Sequence, residues 1–473
     1  MTSLSETSIL SGSSGVTSGY TIDQSIRFND DDSPYMERTH GAGGNVDLWT
    51  VSFWMKRGNL GIECGVFGSG ANNSNTTDIQ FNTDDKLYFW QYIGAYQTRL
   101  ITNQVFRDPS AWYHVVVIYD SGNNVSNQRA RMYINGERVT DFGTQTYPSQ
   151  NQDGIAGSNV KIGFGRYISN GNRSFDGYLS EMHYINGYAY GPEYFGEFKE
   201  DTNIWIPKEF EGNYGTGGFK VDGRDSSDLG DDESGNGNDL STSGLAAHDQ
   251  VLDSPTNNFC VMSSIDFSFN TIKNGNLETI GGTNNRSGRG TMGFTSGKFY
   301  WEVLATTTVG ADRYGGSGVI YDEWAMPGSY SYAGGATEHG GGASHNGATW
   351  YKQSASGTTY GSHPSDGDIY SYALDRDNNK IYWAVNGTYR NSGNPAGGSG
   401  AVASSLTHYG AWMPFVTHGS NAGASASTFN FGQDGTFGGA KTAQGNSDGN
   451  GVGNFYYSPP SGFLALCSKN LGS

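Results

Sequence analysis

The chain has 473 residues, too many for one β-sandwich at ~100–250 residues per domain, so two domains are expected. Its net charge is −18, from 28 Lys+Arg against 46 Asp+Glu, which argues against general nucleic-acid binding and against docking on an anionic membrane. Glycine is abundant at 72 residues, yet 24 Phe, 30 Tyr and 10 Trp exclude a disordered glycine-rich chain and fit short strands joined by tight turns.

Residues 1–20 are rich in Ser, Thr and Gly and lack both the basic start and the apolar core of a signal peptide. They read as a flexible tether or docking segment. No run of about 18 apolar residues occurs, so membrane insertion is not expected. Strand signals begin with Ser25-Ile26-Arg27-Phe28. Leu48 to Lys56 alternates over nine residues, with Trp49, Val51, Phe53 and Met55 on one face and Leu48, Thr50, Ser52 and Trp54 on the other. Ala111 to Tyr119 is nearly continuously apolar, as a strand buried on both faces would be. Arg131 to Val139 reads as strand, Asn135-Gly136 turn, strand, because Asn-Gly takes the left-handed angles of a type I′ hairpin. Phe175 to Asn186 is a late strand, and Gly191 to Phe198 offers a short helical turn. Residues 221–250 are acidic and turn-forming, which reads as a domain edge. The clearest later strands are 297–303, 369–375, 380–385 and 428–431, with a second Asn-Gly turn at Asn386-Gly387. Between them, Tyr314 to Pro364 reads as a long loop dense in Gly, Ser, His, Tyr and Trp. The three cysteines, Cys64, Cys260 and Cys467, form no Cys-x-x-Cys pair, and Cys260 and Cys467 lie near the two ends of the second domain.

Several stretches carry a family likeness. Val51 to Lys56, Trp112 to Val117, Met132 to Gly136 and Asp176 to Glu181 resemble the concanavalin A-like, laminin-G-like jelly rolls, and Asp231 to Asp239 resembles a connector found with them. Gly297 to Val303, Gly367 to Asp375, Lys380 to Gly387, Met413 to Val416, Asn430 to Gln433 and Pro459 to Phe463 resemble SPRY modules. The long glycine-rich loops depart from that family, so its usual peptide-binding surface does not carry over. The resemblances imply an all-β chain of two tandem antiparallel sandwiches. Residues 21–245 would form the laminin-G-like jelly roll, 246–255 a linker and 256–473 the SPRY-like sandwich. The tandem resembles tail-fibre-like or surface-exposed structural proteins of marine bacteriophages.

Chemistry is then weighed residue by residue. A glycosidase on a concanavalin-like fold needs two carboxylates at close spacing. The one-strand pattern Glu-x-Asp-x-x-Glu is absent, and Glu137 and Glu181 lack a partner at the right spacing. The nine His are scattered without a Gly-x-Ser-x-Gly elbow, and His114 reads as a core histidine. Calcium is the one metal whose ligand types are present, at Asp30 and Asp32 and at Asp228, Asp231 and Asp232; the plainer reading is a solvated turn-rich loop, and no cofactor is otherwise expected. Exposed rings with polar neighbours suit saccharide stacking. The candidates are Trp90, Tyr92 and Tyr96, flanked by Gln91, Gln97 and Arg99, and Trp324, Tyr330, Tyr332, Trp350 and Tyr351. Packing at a sandwich edge or a subunit interface is the alternative for the same rings.

The expectation is a non-enzymatic adhesive or structural virion protein. It is assembled in the host cytoplasm and displayed on the virion surface as a tail fibre, tail appendage or capsid decoration. Its partners would be other virion proteins and host-surface polysaccharide. It would be a homo-oligomer, with the trimer as the state fibres usually take. A polysaccharide-degrading enzyme and a purely architectural protein without ligand are the two rivals.

Overall fold

The computed structural model describes residues 19–267, 271–281, 286–307, 315–323, 342–346, 348–352, 357–362, 365–406, 408–418 and 425–472. The expected tether, residues 1–18 of it, lies outside them, as do Trp324, Tyr330 and Tyr332. The chain divides into two compact units at Thr256/Asn257. Both are antiparallel β-sandwiches, and among the described residues helix is limited to single turns. Among the described residues no helix is long and apolar enough to cross a membrane.

In the first unit the strands are β1 Ser25–Phe28, β2 Tyr35–Thr39, β3 Leu48–Arg57, β4 Cys64–Asn72, β5 Asn75–Phe81 and β6 Lys86–Ile93. Next come β7 Tyr96–Val105, β8 Trp112–Asp120, β9 Ala130–Ile134, β10 Glu137–Arg138, β11 Phe142–Thr146 and β12 Lys161–Phe164. The last six are β13 Gly177–Asn186, β14 Gly196–Phe198, β15 Trp205–Pro207, β16 Phe219–Val221, β17 Ser241–Ser243 and β18 Gln250–Val251. One sheet runs β10-β9-β8-β3-β13-β1-β18, with β16 also on β13; the other runs β11-β7-β6-β5-β4-β12-β2-β17.

The period-two pattern decides what lies between them. Trp49, Val51, Phe53 and Met55 of β3 meet Val115, Val117 and Tyr119 of β8 and, from the facing sheet, Ile79, Phe81, Leu87 and Phe89. The opposite face of β3 carries Thr50, Ser52 and Trp54. The structure buries it, because residues 187–214 fold back over the sheet and pack Phe195, Phe210 and Tyr214 on Val116, Ile118 and Ile185. A sheet covered on both sides explains the unbroken apolar run of β8.

The acidic edge at 221–250 and the segment 246–255 read as a linker both lie in the first unit, which runs to Thr256. β17 pairs with β2 and β18 with β1. Lys56 reaches Asp253 at 2.8 Å with both side chains fully buried, and the Trp112 indole donates to the same carboxylate.

In the second unit one sheet is centred on Gly315–Tyr321 and Trp412–His418, the other on Lys298–Thr307, Ile369–Asp375 and Lys380–Val385. The Glu302 carboxylate is buried. It accepts from the backbone N–H groups of Tyr456 and Tyr457, the Tyr300 hydroxyl and the Asn430 amide, tying the C-terminal loop to a central strand. The 314–364 stretch differs from its reading as loop: Gly342–Asn346, Thr349–Lys352 and Gly357–Thr359 extend the first of these sheets. Cys467 pairs with Phe259, and Cys260 lies beside Leu466, so the two thiols are one register step apart on opposite faces. Cys64, Cys260 and Cys467 are all buried, and none is in a disulfide.

Candidate functional site

The outward face of β5–β7 carries the first group of rings picked from the sequence. Leu87 and Phe89 of β6 point into the core, so Tyr88, Trp90 and Tyr92 point away from it. The register sets Trp90 opposite Asp78 on one side and Arg99 on the other, and Tyr92 opposite Tyr96. The rings touch. Tyr96 stacks on Trp90 with centroids 5.2 Å apart, and it meets Tyr92 edge-on at 5.1 Å. Tyr167 closes the far side of Trp90 at 6.4 Å, edge-on. Tyr96 is 40% exposed, while Trp90 and Tyr92 are half-buried, so the group presents a ring surface to solvent while Trp90 anchors it. The Arg99 guanidinium lies 4.6 Å from the Tyr96 ring centre.

Beneath this surface lies Asp78, which is fully buried. One carboxylate oxygen accepts from the Thr76 hydroxyl at 2.7 Å and the other has no hydrogen-bond partner. Burial pushes this carboxyl up to about 7, against the opposing pull of the Thr76 hydrogen bond and of Arg173. The loop with Tyr167 and Ile168 covers it, and a Cβ at Gly68 would stand 3.1 Å from its free oxygen. Nothing in the local pattern at Asp78 marks it in the sequence, because the covering loop lies some ninety residues away. The flanking residues divide. Gln91 was read as a polar neighbour of the rings, but it faces inward and bonds Thr77 and Tyr119, whereas Arg99 stays on the ring face.

Of the second group, Trp350 is a correction. It is only 3% exposed and packs against Tyr372 and Trp383, because the extra strand that carries it turns it into the sandwich. Tyr351, the next residue, is half-buried and points the other way.

The aspartates proposed for calcium are not gathered. Among the described residues no three His, Cys, Asp or Glu side chains are placed to hold a metal ion. Asp30 accepts from Asn59 and Asp32 from Asn29. Asp228 accepts from the Gly230 N–H, and Asp231 is exposed. The Asp232 carboxylate takes hydrogen bonds from the N–H groups of Lys220, Ser234 and Asn238 and from the Ser234 hydroxyl, which makes it the organiser of its own loop.

Sequence reasoning missed a polar group under the 187–214 roof. Glu181 sits at a β-bulge of β13 with φ of +47°, 3.3 Å from His183 and 3.2 Å from Lys220. These partners hold its carboxyl down at about 2 despite burial, so it cannot serve as a general acid near neutral pH. His114 Nε2 lies 2.8 Å from the Ser52 hydroxyl. The Trp205 indole N–H donates to His114 Nδ1 at 3.1 Å, which leaves the ring proton on Nε2, donated to Ser52. A histidine in that tautomer cannot take the serine proton, so the pair is structural.

Comparisons with known proteins were made against this geometry. No curated protein matches the sequence. The solved structures it is similar to include mouse laminin α1 chain domains LG4-5 (9% identity, TM-score 0.28, 88% of this chain and 91% of that one). The SPRY domain of human HERC1 is similar at 16% identity and TM-score 0.26, over 32% of this chain and 87% of that one. Domain 4 of AbnA, an extracellular arabinanase of Geobacillus stearothermophilus solved with arabinotriose, is similar at 16% identity and TM-score 0.28, over 38% and 82%. Residues 26–189, which lie within the first unit and hold Trp90, Tyr92, Tyr96 and Arg99, match the family profile of the concanavalin A-like lectin/glucanases superfamily.

Proposed function

We propose that this protein binds glycans through the outward face of β5–β7 and does not transform them. The observation that carries the reading is the contiguous ring group Trp90, Tyr92 and Tyr96, partly exposed beside Arg99. Flat rings pack against the C–H faces of sugars, and a fixed guanidinium orients the hydroxyl groups. The match of residues 26–189 to the lectin/glucanase superfamily supports the same reading. The sequestered state of Glu181 and the tautomer of His114 favour binding over catalysis. We further propose that the setting is the surface of a phage particle, in an oligomer. The support for that setting is the sequence likeness of the tandem to phage surface proteins.

A glycan array tests the binding. The protein is expected to retain at least one saccharide class, and Tyr96→Ala is expected to weaken that binding about tenfold, the effect of losing one good ring contact. A blank array, or binding that Tyr96→Ala and Trp90→Ala both leave unchanged, overturns the reading.

A further inference from the structure

Several cations of the first unit are paired with carboxylates inside the fold. Arg27 pairs with Asp249, Lys56 with Asp253, Arg57 and Arg107 with Asp85, Arg166 with Glu37 and Arg173 with Glu63. That is the expectation where acids outnumber bases 46 to 28. Arg99 is different. Among the described residues it has no carboxylate within ion-pair distance, its guanidinium is held by the Tyr96 ring, and its Nε is buried with no hydrogen-bond partner. Its Nε is enclosed, so an incoming anion would pair with the terminal guanidinium nitrogens, which donate no hydrogen bond to the described residues. The guanidinium stands on the same face as the rings, directly across from Trp90.

We infer that the saccharide bound on this face is acidic, with a carboxylate or sulfate group that pairs with Arg99 while the rings hold the sugar. The inference rests on the glycan reading above. The rest of the molecule opposes it: at a net charge of −18 a polyanion is repelled at long range, so the attraction is local and confined to the Arg99 contact. Selectivity for one acidic group at one place follows, rather than general capture of polyanions.

Affinity electrophoresis of the full chain through gels containing matched pairs of polysaccharides tests it. Suitable pairs are polygalacturonate and its methyl ester, and dextran sulfate and dextran. Retention is expected with at least one acidic member and about tenfold or more weaker with its neutral counterpart. Arg99→Gln is expected to remove that preference, and Arg99→Lys to restore part of it, since Lys keeps the charge and loses the two-pronged donor. Retention by neutral members alone, unaffected by Arg99→Gln, overturns the acidic assignment and leaves glycan binding standing. No retention by any acidic member also overturns it. If Tyr96→Ala has no effect on whatever binding is found, the ring site itself fails.

Discussion

Asp78 shows how burial, rather than a neighbouring charge, sets the state of a side chain. Its carboxyl is raised from 3.8 to about 7 chiefly because ionising it inside the fold has no hydration to compensate. The sign of the consequence follows from linkage. A carboxyl with a higher pKa in the folded than in the unfolded chain stabilises the fold fully below the unfolded value, and that stability is lost as pH rises through about 7. Asp78→Asn removes the titration. The variant is therefore expected to match the parent near pH 4 and to exceed it at pH 8 by a few kcal/mol, at about 1.4 kcal/mol per pKa unit. Urea unfolding midpoints at the two pH values measure this, and equal midpoint differences at both would refute it. Glu302 is raised to about 7 by its own burial and contributes the same trend in parent and variant, so the comparison isolates Asp78.

Single elements show where local chemistry and tertiary packing agree. Asn135 and Gly136 take φ of +48° and +81°, as a two-residue hairpin between β9 and β10 requires. The same glycine also lies under the roof: a Cβ there would stand 2.4 Å from the Trp205 ring. Gly136→Ala is expected to cost about 1–3 kcal/mol in chemical denaturation, through both backbone angle and collision. A change below about 0.5 kcal/mol, the usual size of a surface substitution, would mean that the roof yields. Asn386-Gly387 repeats the arrangement in the second unit, with Tyr457 2.9 Å from the absent Cβ. The hairpins were legible because the turn dipeptide dictates its own angles. The strands of residues 342–359 were not, because they are short and their alternation is diluted by glycine and small polar residues, although each pairs with its neighbour in the chain.

At the scale of the whole chain, an excess of acidic groups is a standing repulsion that salt screens. Thermal midpoints are expected to rise by a few degrees between about 10 and 150 mM NaCl, over which the screening length falls from roughly 30 to 8 Å. A fall in that range would indicate that exposed pairs such as Lys161–Glu37 and Arg173–Glu63 lose more to screening than the relieved repulsion returns. The sequence by itself determined the all-β class, the strand periods and the Asn-Gly turns, because these follow from the angles and side-chain alternation of neighbouring residues. It also marked Trp90, Tyr92 and Tyr96 as one group, since a strand and its hairpin partner are close in the chain. Only the tertiary structure decided which rings face solvent. Trp350 and Tyr96 look alike as residues, yet one is enclosed by strands that join from afar and the other is left open beside Arg99. The roof over β3 and the cover over Asp78 likewise come from segments far along the chain, and burial by such segments is a property of packing that no local pattern records.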